Sequence, residues 1–202
     1  AKLSLERMKQ VRKKYPHLLE EIWLKKVTLR SSYKTLSVSE VQTMPNMYIR
    51  ERYDYGFYGY SKIFKSYSHF SKDEDSMIKG ERCLVNYATG LMWHPSGGGF
   101  LTYKEAKRWL KELNKRGYAG YKDWRMPTVD EAASLLESSK MNGDLYIAPD
   151  FSDKEWWTWT GDKCEDGEGS EAAWGVHFYF GRVNWVNVND ECVSVRPVRS
   201  VE

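Results

Sequence analysis

A strict two-residue alternation of apolar and other side chains runs from Trp174 to Phe180. A period of two is typical of a β-strand, in which successive side chains point to opposite faces. One face would carry Trp174, Val176, Phe178 and Phe180. The other would carry Gly175, His177 and Tyr179. The sequence therefore predicts a strand with one apolar face for a core and one face of mixed character.

The pair Gly181-Arg182 follows this strand and predicts a tight hairpin. A two-residue loop with glycine first suits a type II′ turn. On the return strand, Val183 would then pair with Phe180. Two positions further on, Trp185 would pair with Phe178, which keeps the apolar side chains on one face.

We predict that the mixed face and the loop after the hairpin form a ligand-binding surface. Rigid strands hold aromatic side chains at small entropic cost, and Asn and Asp side chains give adaptable hydrogen bonds. The candidate ligand-binding residues are Gly175, His177, Tyr179, Arg182, Asn184, Val186, Asn187, Val188, Asn189 and Asp190. The expected partner is a variable protein or carbohydrate ligand, and the oligomeric state stays open.

The first 79 residues are read as two segments before the main domain. Residues 2–29 carry apolar positions three and four apart, which predicts an amphipathic helix that Pro16 kinks or splits. We interpret residues 1–29 as a helical extension packed on the body or on a second copy, with a tether to another protein as the alternative. Residues 30–79 form a lead-in, in which residues 46–70 hold six Tyr and three Phe. A loop-rich flank packed on the domain is favoured there over stacking on nucleic-acid bases.

Capping boxes, in which Ser or Thr precedes Glu by three positions, predict the starts of three helices. They occur at Ser37 with Glu40, Thr102 with Glu105, and Thr128 with Glu131. The second helix would end at Gly117, after two basic residues. Strands are expected over residues 83–86, 91–93, 156–160 and 192–198.

Composition and charge exclude several classes of function. A net charge of +3 over 202 residues is too small to indicate nucleic-acid binding. No apolar run reaches membrane-spanning length and no signal peptide is present, so we expect no membrane insertion and, by default, a cytoplasmic location. Cys83, Cys164 and Cys192 are an odd number without metal-type spacing, which argues against a zinc site or a disulfide framework. Pairing of two of them stays open.

An ordered set of motifs between residues 80 and 200 resembles the DUF1566 family, also called the Legionella collagen-like protein C-terminal domain. The motifs are Ala88-Thr-Gly-Leu-Met-Trp93, Glu105-Ala106, Leu113-Asn114, Gly120-Tyr-Lys-Asp-Trp-Arg-Met-Pro-Thr128, Glu131, Leu135-Leu136, Trp159, Ala173-Trp174, Phe178, Gly181 and Val195-Arg-Pro-Val-Arg199. Residues 80–202 are therefore assigned to one DUF1566-like domain. Within it, we expect Trp124 and Arg125 to hold the scaffold, because an indole favours burial and a guanidinium needs an oxygen partner.

The resemblance implies an α+β architecture with a C-type lectin fold, close to the formylglycine-generating branch. In that fold, two helices flank a small twisted antiparallel sheet and a loop-rich second half exposes a ligand-binding surface. Members also serve as variable proteins of diversity-generating retroelements, in which adenine-directed mutagenesis rewrites chosen codons. Rewriting the adenines of an AAC or AAT codon reaches the residue types at all the candidate ligand-binding positions. It does not reach Trp174, Trp185 or Glu191.

The chemistry-bearing residues indicate binding rather than catalysis. Formylglycine-generating relatives use a cysteine pair, whereas Cys164 and Cys192 are isolated here, so we expect no enzyme activity and no metal or other cofactor. The alternative is a calcium-dependent lectin, because residues 187–191 offer the oxygen ligands that Ca²⁺ prefers. A Trp-Asn-Asp triplet is not intact there. A second acidic cluster, more typical of a solvated loop than of a metal site, comprises Asp162, Glu165, Asp166, Glu168 and Glu171.

Overall fold

The computed structural model describes residues 26–70, 79–167 and 171–201. Most of the predicted N-terminal helix falls on residues 1–25, outside the described residues. Residues 26–29 have no regular secondary structure, so that part of the prediction is wrong. This segment is fixed instead by a hydrogen bond of 2.8 Å from the backbone N–H of Val27 to the carbonyl oxygen of Ala88.

The described residues form an α+β structure built mostly from strands. The strands are β1 (Thr35–Leu36), β2 (Met47–Tyr53), β3 (Gly56–Ser61), β4 (Tyr67–Phe70), β5 (Cys83–Asn86), β6 (Leu91–Trp93), β7 (Trp157–Cys164), β8 (Ala172–His177), β9 (Arg182–Asn187) and β10 (Val198–Ser200). The α-helices are α1 (Val38–Val41), α2 (Tyr103–Arg116) and α3 (Val129–Ala133), and a 3₁₀ turn covers Tyr118–Gly120. Across these described ranges, no helix combines the length and apolar character needed to cross a membrane.

Each predicted capping box begins a helix. The hydroxyls of Ser37, Thr102 and Thr128 accept hydrogen bonds from the backbone N–H three residues later, and the glutamate there reaches back to the cap N–H. Helix α2 ends at Gly117, whose φ of 73° places it in the left-handed region. These local predictions are confirmed because they depend only on residues within one or two turns.

The strands form two sheets. The larger has the order β1-β7-β8-β9-β3-β2, and the smaller has the order β10-β6-β5-β4. Strand β3 pairs antiparallel with β9 and β1 pairs parallel with β7, so the lead-in supplies three strands, β1, β2 and β3, of the sheet that contains the predicted hairpin. The loop-rich conformation expected for residues 46–70 is therefore wrong. Tyr and Phe favour strands, and their density in this segment is consistent with the observed pairing.

Two hydrophobic clusters cover the two faces of the larger sheet. Trp174, Val176 and Val183 belong to the first cluster, together with residues of α3. Trp159 and Ala173 belong to the second cluster, together with residues of α2. Helices α2 and α3 therefore pack on opposite faces of the larger sheet. Strand β8, which lies between them, is buried from end to end.

The hairpin of β8 and β9 has a longer loop than predicted. His177 pairs with Arg182, so the loop contains four residues, 178–181. The pairing of Val183 with Phe180 is wrong, since Val183 lies opposite Val176. Gly181 closes the loop in the left-handed region with φ of 63°, rather than opening a two-residue turn. As a consequence, Phe180 is exposed instead of lying in the core.

The closing segment is less regular than predicted. Its strand, β10, begins only at Val198, and the preceding residues join neighbours through isolated bridges such as that between Ser194 and Thr158. Here Arg196 is fully buried and donates to the carbonyl oxygens of Pro95, at 2.5 Å, and Glu155, at 3.1 Å. The buried guanidinium thus supplies hydrogen bonds to loop carbonyl oxygens that lie outside the paired strands.

A network of buried charges joins the lead-in to the rest of the chain. Asp162, fully buried in β7, accepts hydrogen bonds from both Nη atoms of Arg30, at 2.7 and 2.8 Å. It also accepts from the backbone N–H groups of Lys34 and Val129. The assignment of Asp162 to a solvated acidic loop is therefore wrong. Fixed donors offset the cost of burying this carboxylate.

The predicted scaffold residues have the expected partners. Trp124 is buried, and its indole N–H donates to the carbonyl oxygen of Tyr118 at 3.1 Å. Both Nη atoms of Arg125 reach the carboxylate of Glu131, at 2.7 and 2.6 Å. This bidentate pair fixes the start of α3 against the segment that carries Trp124.

Candidate functional site

A cleft of about 380 Å³ lies where β9 meets the lead-in strands. Eight residues line it: Tyr53, Tyr55, Trp157, Arg182, Asn184, Trp185, Val186 and Asn187. Four of the eight are aromatic, and four belong to the predicted ligand-binding set. The cleft therefore brings part of the predicted ligand-binding set together with aromatic residues of the lead-in.

Part of the cleft is built on the face that the alternation predicted, and Trp185 and Asn187 reach it from the other face of β9. Residues that lie directly opposite each other on paired strands share a face. Asn184 lies opposite Gly175 on one side and opposite Gly56 on the other. Arg182 lies opposite His177, which in turn lies opposite Trp157. The assignment of Gly175, His177 and Asn184 to one face of the hairpin is confirmed, whereas Arg182, predicted in the turn, lies on the strand.

The two glycines in this row are closely packed, and a Cβ atom on Gly56 would lie 2.0 Å from the carbonyl oxygen of Val183. A Cβ atom on Gly175 would lie 3.0 Å from Nε1 of Trp157 and 3.1 Å from the carbonyl oxygen of Thr158. The Trp157 indole thus lies over Gly175 in a position that a larger residue would disturb. Gly175 is therefore a packing residue, and it does not offer a side-chain position for a ligand.

The expectation that this face is open to solvent is wrong for part of the predicted set. Gly175, His177, Asn184 and Val186 are buried. Tyr179, Arg182, Asn187, Val188, Asn189 and Asp190 reach the surface at least in part. The four buried residues are covered because helix α2 and the segment with Val193 and Val195 pack on this face of the sheet, where they form the second cluster. Only the end of the face near the lead-in strands stays open, as the cleft.

Buried polar atoms without a hydrogen-bond partner are concentrated at the cleft. Among the described residues, nine buried side-chain nitrogen or oxygen atoms lack a partner. Five belong to residues that line the cleft: Tyr53 Oη, Trp157 Nε1, Arg182 Nε, Asn184 Oδ1 and Trp185 Nε1. A buried unpaired polar group costs about 1–3 kcal/mol. A ligand that supplies the partners would offset that cost.

Arg182 sets the electrostatic character of the cleft, and it is the only charged residue among those lining it. Its guanidinium carbon lies 4.9 Å from the centre of the Phe180 ring. Burial raises the pKa of Tyr53 to about 12, although Arg182 partly opposes the rise. At neutral pH the cleft therefore presents one positive charge and a protonated phenol.

His177 is a buried neutral ring rather than a surface ligand. Burial, with a smaller contribution from Arg182, lowers the pKa of His177 to about 3. Its ring lies 4.7 Å from that of Trp157, 5.0 Å from that of Trp156 and 4.6 Å from that of Phe180, measured between centroids. This stack carries the hairpin loop, where Phe180 and Tyr179 remain 47% and 43% exposed.

The loop after β9 uses several of its side-chain oxygens internally. Oδ1 of Asn187 accepts from the backbone N–H of Asn189 at 2.9 Å, and Oδ1 of Asp190 accepts from that of Cys192 at 2.7 Å. Among the described residues, no group of three or more His, Cys, Asp or Glu side chains is arranged to hold a metal ion. These turns account for the Asn and Asp content that suggested calcium.

All three cysteines are free thiols. Cys83 and Cys164 are buried, and burial raises the pKa of Cys83 to about 12 and that of Cys164 to about 11. Cys192 is exposed. The disulfide between two of these cysteines that the sequence left open is therefore not formed.

Sequence reasoning missed half of the residues that line the cleft. Tyr53 and Tyr55 lie in the tyrosine-rich segment that was read as a packed flank, and Trp157 was read only as part of a strand. The sequence did contain a signal for these residues. Aromatic side chains alternate on both sides of Gly56, which is typical of a β-strand with aromatic residues on each face. Trp185 was assigned to the core but is only partly buried and lines the cleft.

Together these features define an α+β protein with two sheets and an aromatic cleft, in which a hairpin near the C-terminus is flanked by lead-in strands. The chain belongs to the Lcl C-terminal domain family, whose profile matches residues 82–199. The DUF1566 resemblance is thereby confirmed. No curated protein has a sequence that matches the chain. The lead-in strands β2 and β3, which carry Tyr53 and border the cleft, lie before the matched residues.

Proposed function

We propose that this chain is a non-enzymatic ligand-binding protein whose site is the cleft between β9 and the lead-in strands. The observation that carries the proposal is the concentration of unpartnered buried polar atoms among the residues lining the cleft. Tyr, Trp, Arg and Asn side chains dominate the lining, and these residue types recur in protein binding sites. The site is thus smaller than the predicted display surface and includes residues of the lead-in.

The absence of catalysis is part of the proposal. The buried thiols of Cys83 and Cys164 have raised pKa values, and a protonated thiol is a poor nucleophile. His177 is held neutral among aromatic rings and has no nucleophile in contact with it among the contacts described. These groups suit packing better than reaction chemistry.

We also propose the finer fold and origin that the family resemblance implies: a C-type lectin fold, diversified by a retroelement. Helices on opposite faces of a sheet and an irregular closing segment support the fold. The candidates that reach the surface could vary without disturbing the core; they are Tyr179, Arg182, Asn187, Val188, Asn189 and Asp190. Gly175 does not fit such variation, since Trp157 packs over it. A reverse-transcriptase gene beside a near-copy of the codons for residues 172–199 would support diversification, and its absence would count against it.

The binding proposal is tested by screening the immobilised chain against a glycan array and a displayed-peptide library. Each ligand recovered is then measured against a variant with Tyr55→Ala, Arg182→Ala and Asn187→Ala. We expect binding to be lost while Tm stays within a few degrees, because these side chains are at least partly exposed. The matched control, Arg108→Ala with Glu112→Ala on α2, should bind normally. Ligands that bind the cleft variant unchanged would place the site elsewhere.

A calcium-dependent carbohydrate-binding lectin remains the second candidate. Exposed oxygens between Asn187 and Glu191 favour it, since Ca²⁺ prefers oxygen ligands. A rise in Tm on adding Ca²⁺, reversed by EDTA, would support this candidate. An unchanged Tm at millimolar Ca²⁺ would count against it.

A further inference from the structure

The unpartnered atoms of the cleft are mainly hydrogen-bond donors. Nε1 of Trp157, Nε1 of Trp185 and Nε of Arg182 can only donate. Oδ1 of Asn184 can only accept, and Oη of Tyr53 can do either. A ligand that satisfies this set must bring more acceptors than donors. Neutral sugars carry both in similar number, whereas a carboxylate carries acceptors alone.

The charge of the cleft agrees with this donor excess. Arg182 makes no salt bridge with any carboxylate among the described residues. Its guanidinium rests on Phe180, which holds the group in place without neutralising it. The planar edge of a guanidinium matches the two oxygens of a carboxylate. The excess of donors and the unneutralised charge therefore point to the same chemical group.

Resting on the proposed function, we propose that the cleft binds an acidic side chain, Asp or Glu, presented by a protein partner. The carboxylate lies against Arg182 Nε and the indole N–H of Trp157, on the face that these two residues share. Trp185 lies opposite Trp174 on the other face, so its indole N–H takes no part. Oδ1 of Asn184 accepts a backbone N–H of the partner next to the acidic residue. Two of the lining residues, Asn184 and Trp157, are themselves more than nine-tenths buried, so their unpaired atoms are fixed in position.

The surroundings of the cleft favour a protein partner over a sugar acid. Tyr55 is 54% exposed and meets Trp185 edge to face at one end of the cleft, with ring centroids 5.2 Å apart. Exposed Phe180 and Tyr179 lie beyond Arg182 at the other end. Exposed Tyr and Phe beside a buried Trp–Arg centre are typical of a protein interface with a central anchor and a wider rim. A single sugar ring would leave this rim uncovered.

Indole N–H signals of the ¹⁵N-labelled full chain provide the test. Trp157→Phe and Trp185→Phe assign the two signals. The probe is N-acetyl-aspartate N-methylamide, and the neutral control probe is N-acetyl-asparagine N-methylamide. We expect a saturable shift of the Trp157 indole signal with the aspartate probe and none with the asparagine probe, while the Trp185 signal from the other face stays unchanged. The indole of Trp174, bonded to the carbonyl oxygen of Leu36 at 3.2 Å, reports the fold in every sample.

Variants at Arg182 decide the role of its charge. Arg182→Gln should raise the Kd for the aspartate probe by about tenfold or more, since a charged hydrogen bond contributes about 1.5–3 kcal/mol. Arg182→Lys keeps the charge but lacks the planar edge of a guanidinium. Its Kd for the aspartate probe should therefore lie between those of the parent and Arg182→Gln. Arg108→Gln, an exposed charge removed from α2, should bind as the parent does. Equal binding by Arg182→Gln, or no saturable shift with the aspartate probe, would overturn the proposal.

Two further probes, glucuronate and glucose, separate this inference from the proposed function. If either sugar shifts the indole signals saturably and the aspartate probe does not, the proposal of an acidic protein partner is overturned. The cleft would then still be a binding site. No shift by any probe would overturn the carboxylate inference alone, because the array and library screen tests the cleft independently. Shifts by the aspartate probe alone would support it.

Discussion

Arg30 and Asp162 lie 132 positions apart in the chain, yet their side chains form a two-pronged ion pair with N–O distances of 2.7 and 2.8 Å. Asp162 lies within the family-matched residues, and Arg30 lies before them. The pair therefore fixes the lead-in to the strand that neighbours β8. It also holds β1 next to β7, since Lys34 N–H donates to the same carboxylate.

Breaking this pair should destabilise the whole fold. Arg30→Ala leaves Asp162 buried without its charged partner, which costs about 3–5 kcal/mol. The free energy of unfolding in urea, followed by tryptophan fluorescence, measures the loss. Asp162→Asn should cost a similar amount, whereas Glu112→Ala, which removes an exposed partner of Lys115, should leave the midpoint unchanged. A loss for Arg30→Ala no larger than that of the control would contradict a joining role.

Trp174 and Trp185 face each other across β8 and β9 but differ in burial. Trp174 is fully buried and its indole N–H is bonded, so Trp174→Ala should cost about 3–5 kcal/mol. Trp185 is only partly buried, and its N–H has no partner, so Trp185→Ala should cost roughly 1–2 kcal/mol. Chemical denaturation of both variants checks the order. Equal costs would mean that Trp185 is a core residue after all.

The buried histidines should make the protein sensitive to acid. Burial lowers the pKa of His177 to about 3 and that of His94 to about 4, both below the ordinary value of 6.5. Below pH 6.5 the unfolded chain takes up protons that the folded chain does not bind. Stability is therefore lost as pH falls from 6.5 towards 4, by about 1.4 kcal/mol per pH unit for each histidine.

His177→Phe should remove the share of this slope that comes from His177. The measurement is the free energy of unfolding at several pH values between 4 and 7. Trp157→Phe changes a neighbouring ring that carries no titrating group, so it should keep the parent slope. An unchanged slope in His177→Phe would mean that His177 takes up a proton in the folded state.

The three thiols should react at very different rates. Cys192 is exposed, while Cys83 and Cys164 are buried with raised pKa values. We expect one equivalent of a thiol reagent such as DTNB to react in native buffer and three in denaturant. Cys192→Ser should abolish the native reaction and leave Tm unchanged. Rapid labelling of a second thiol in the folded chain would show that a buried cysteine is accessible.

Local signals in the sequence predicted the local structure well. The capping boxes, the stop at Gly117 and the short strands β5 and β6 depend on a few neighbouring residues, and they form as expected. The two-faced character of residues 174–177 also followed from alternation. The bidentate pair of Arg125 and Glu131 was foreseen only as a need for an oxygen partner.

Long-range pairing was beyond these signals. Alternation assigns Asn184 to a face but does not reveal that helix α2 and the segment with Val195 cover most of that face. A charged residue such as Asp162 reads as solvated until Arg30, far away in the chain, is known to bind it. The hairpin loop differs from the prediction for a related reason: Gly181 fits either end of a turn, and the register is seen only in the pairing of β8 with β9.

The pairing of β3 with β9 has a consequence for how such a protein could acquire new specificities. Two distant stretches of the gene encode opposite walls of one hollow. Exchange of codons 47–61 by recombination would reshape the wall that carries Tyr53 and Tyr55 while every codon downstream stayed as it was. If the cleft is the binding site proposed above, changes in codons 47–61 and changes in the C-terminal hairpin would therefore reshape different walls of the same cleft.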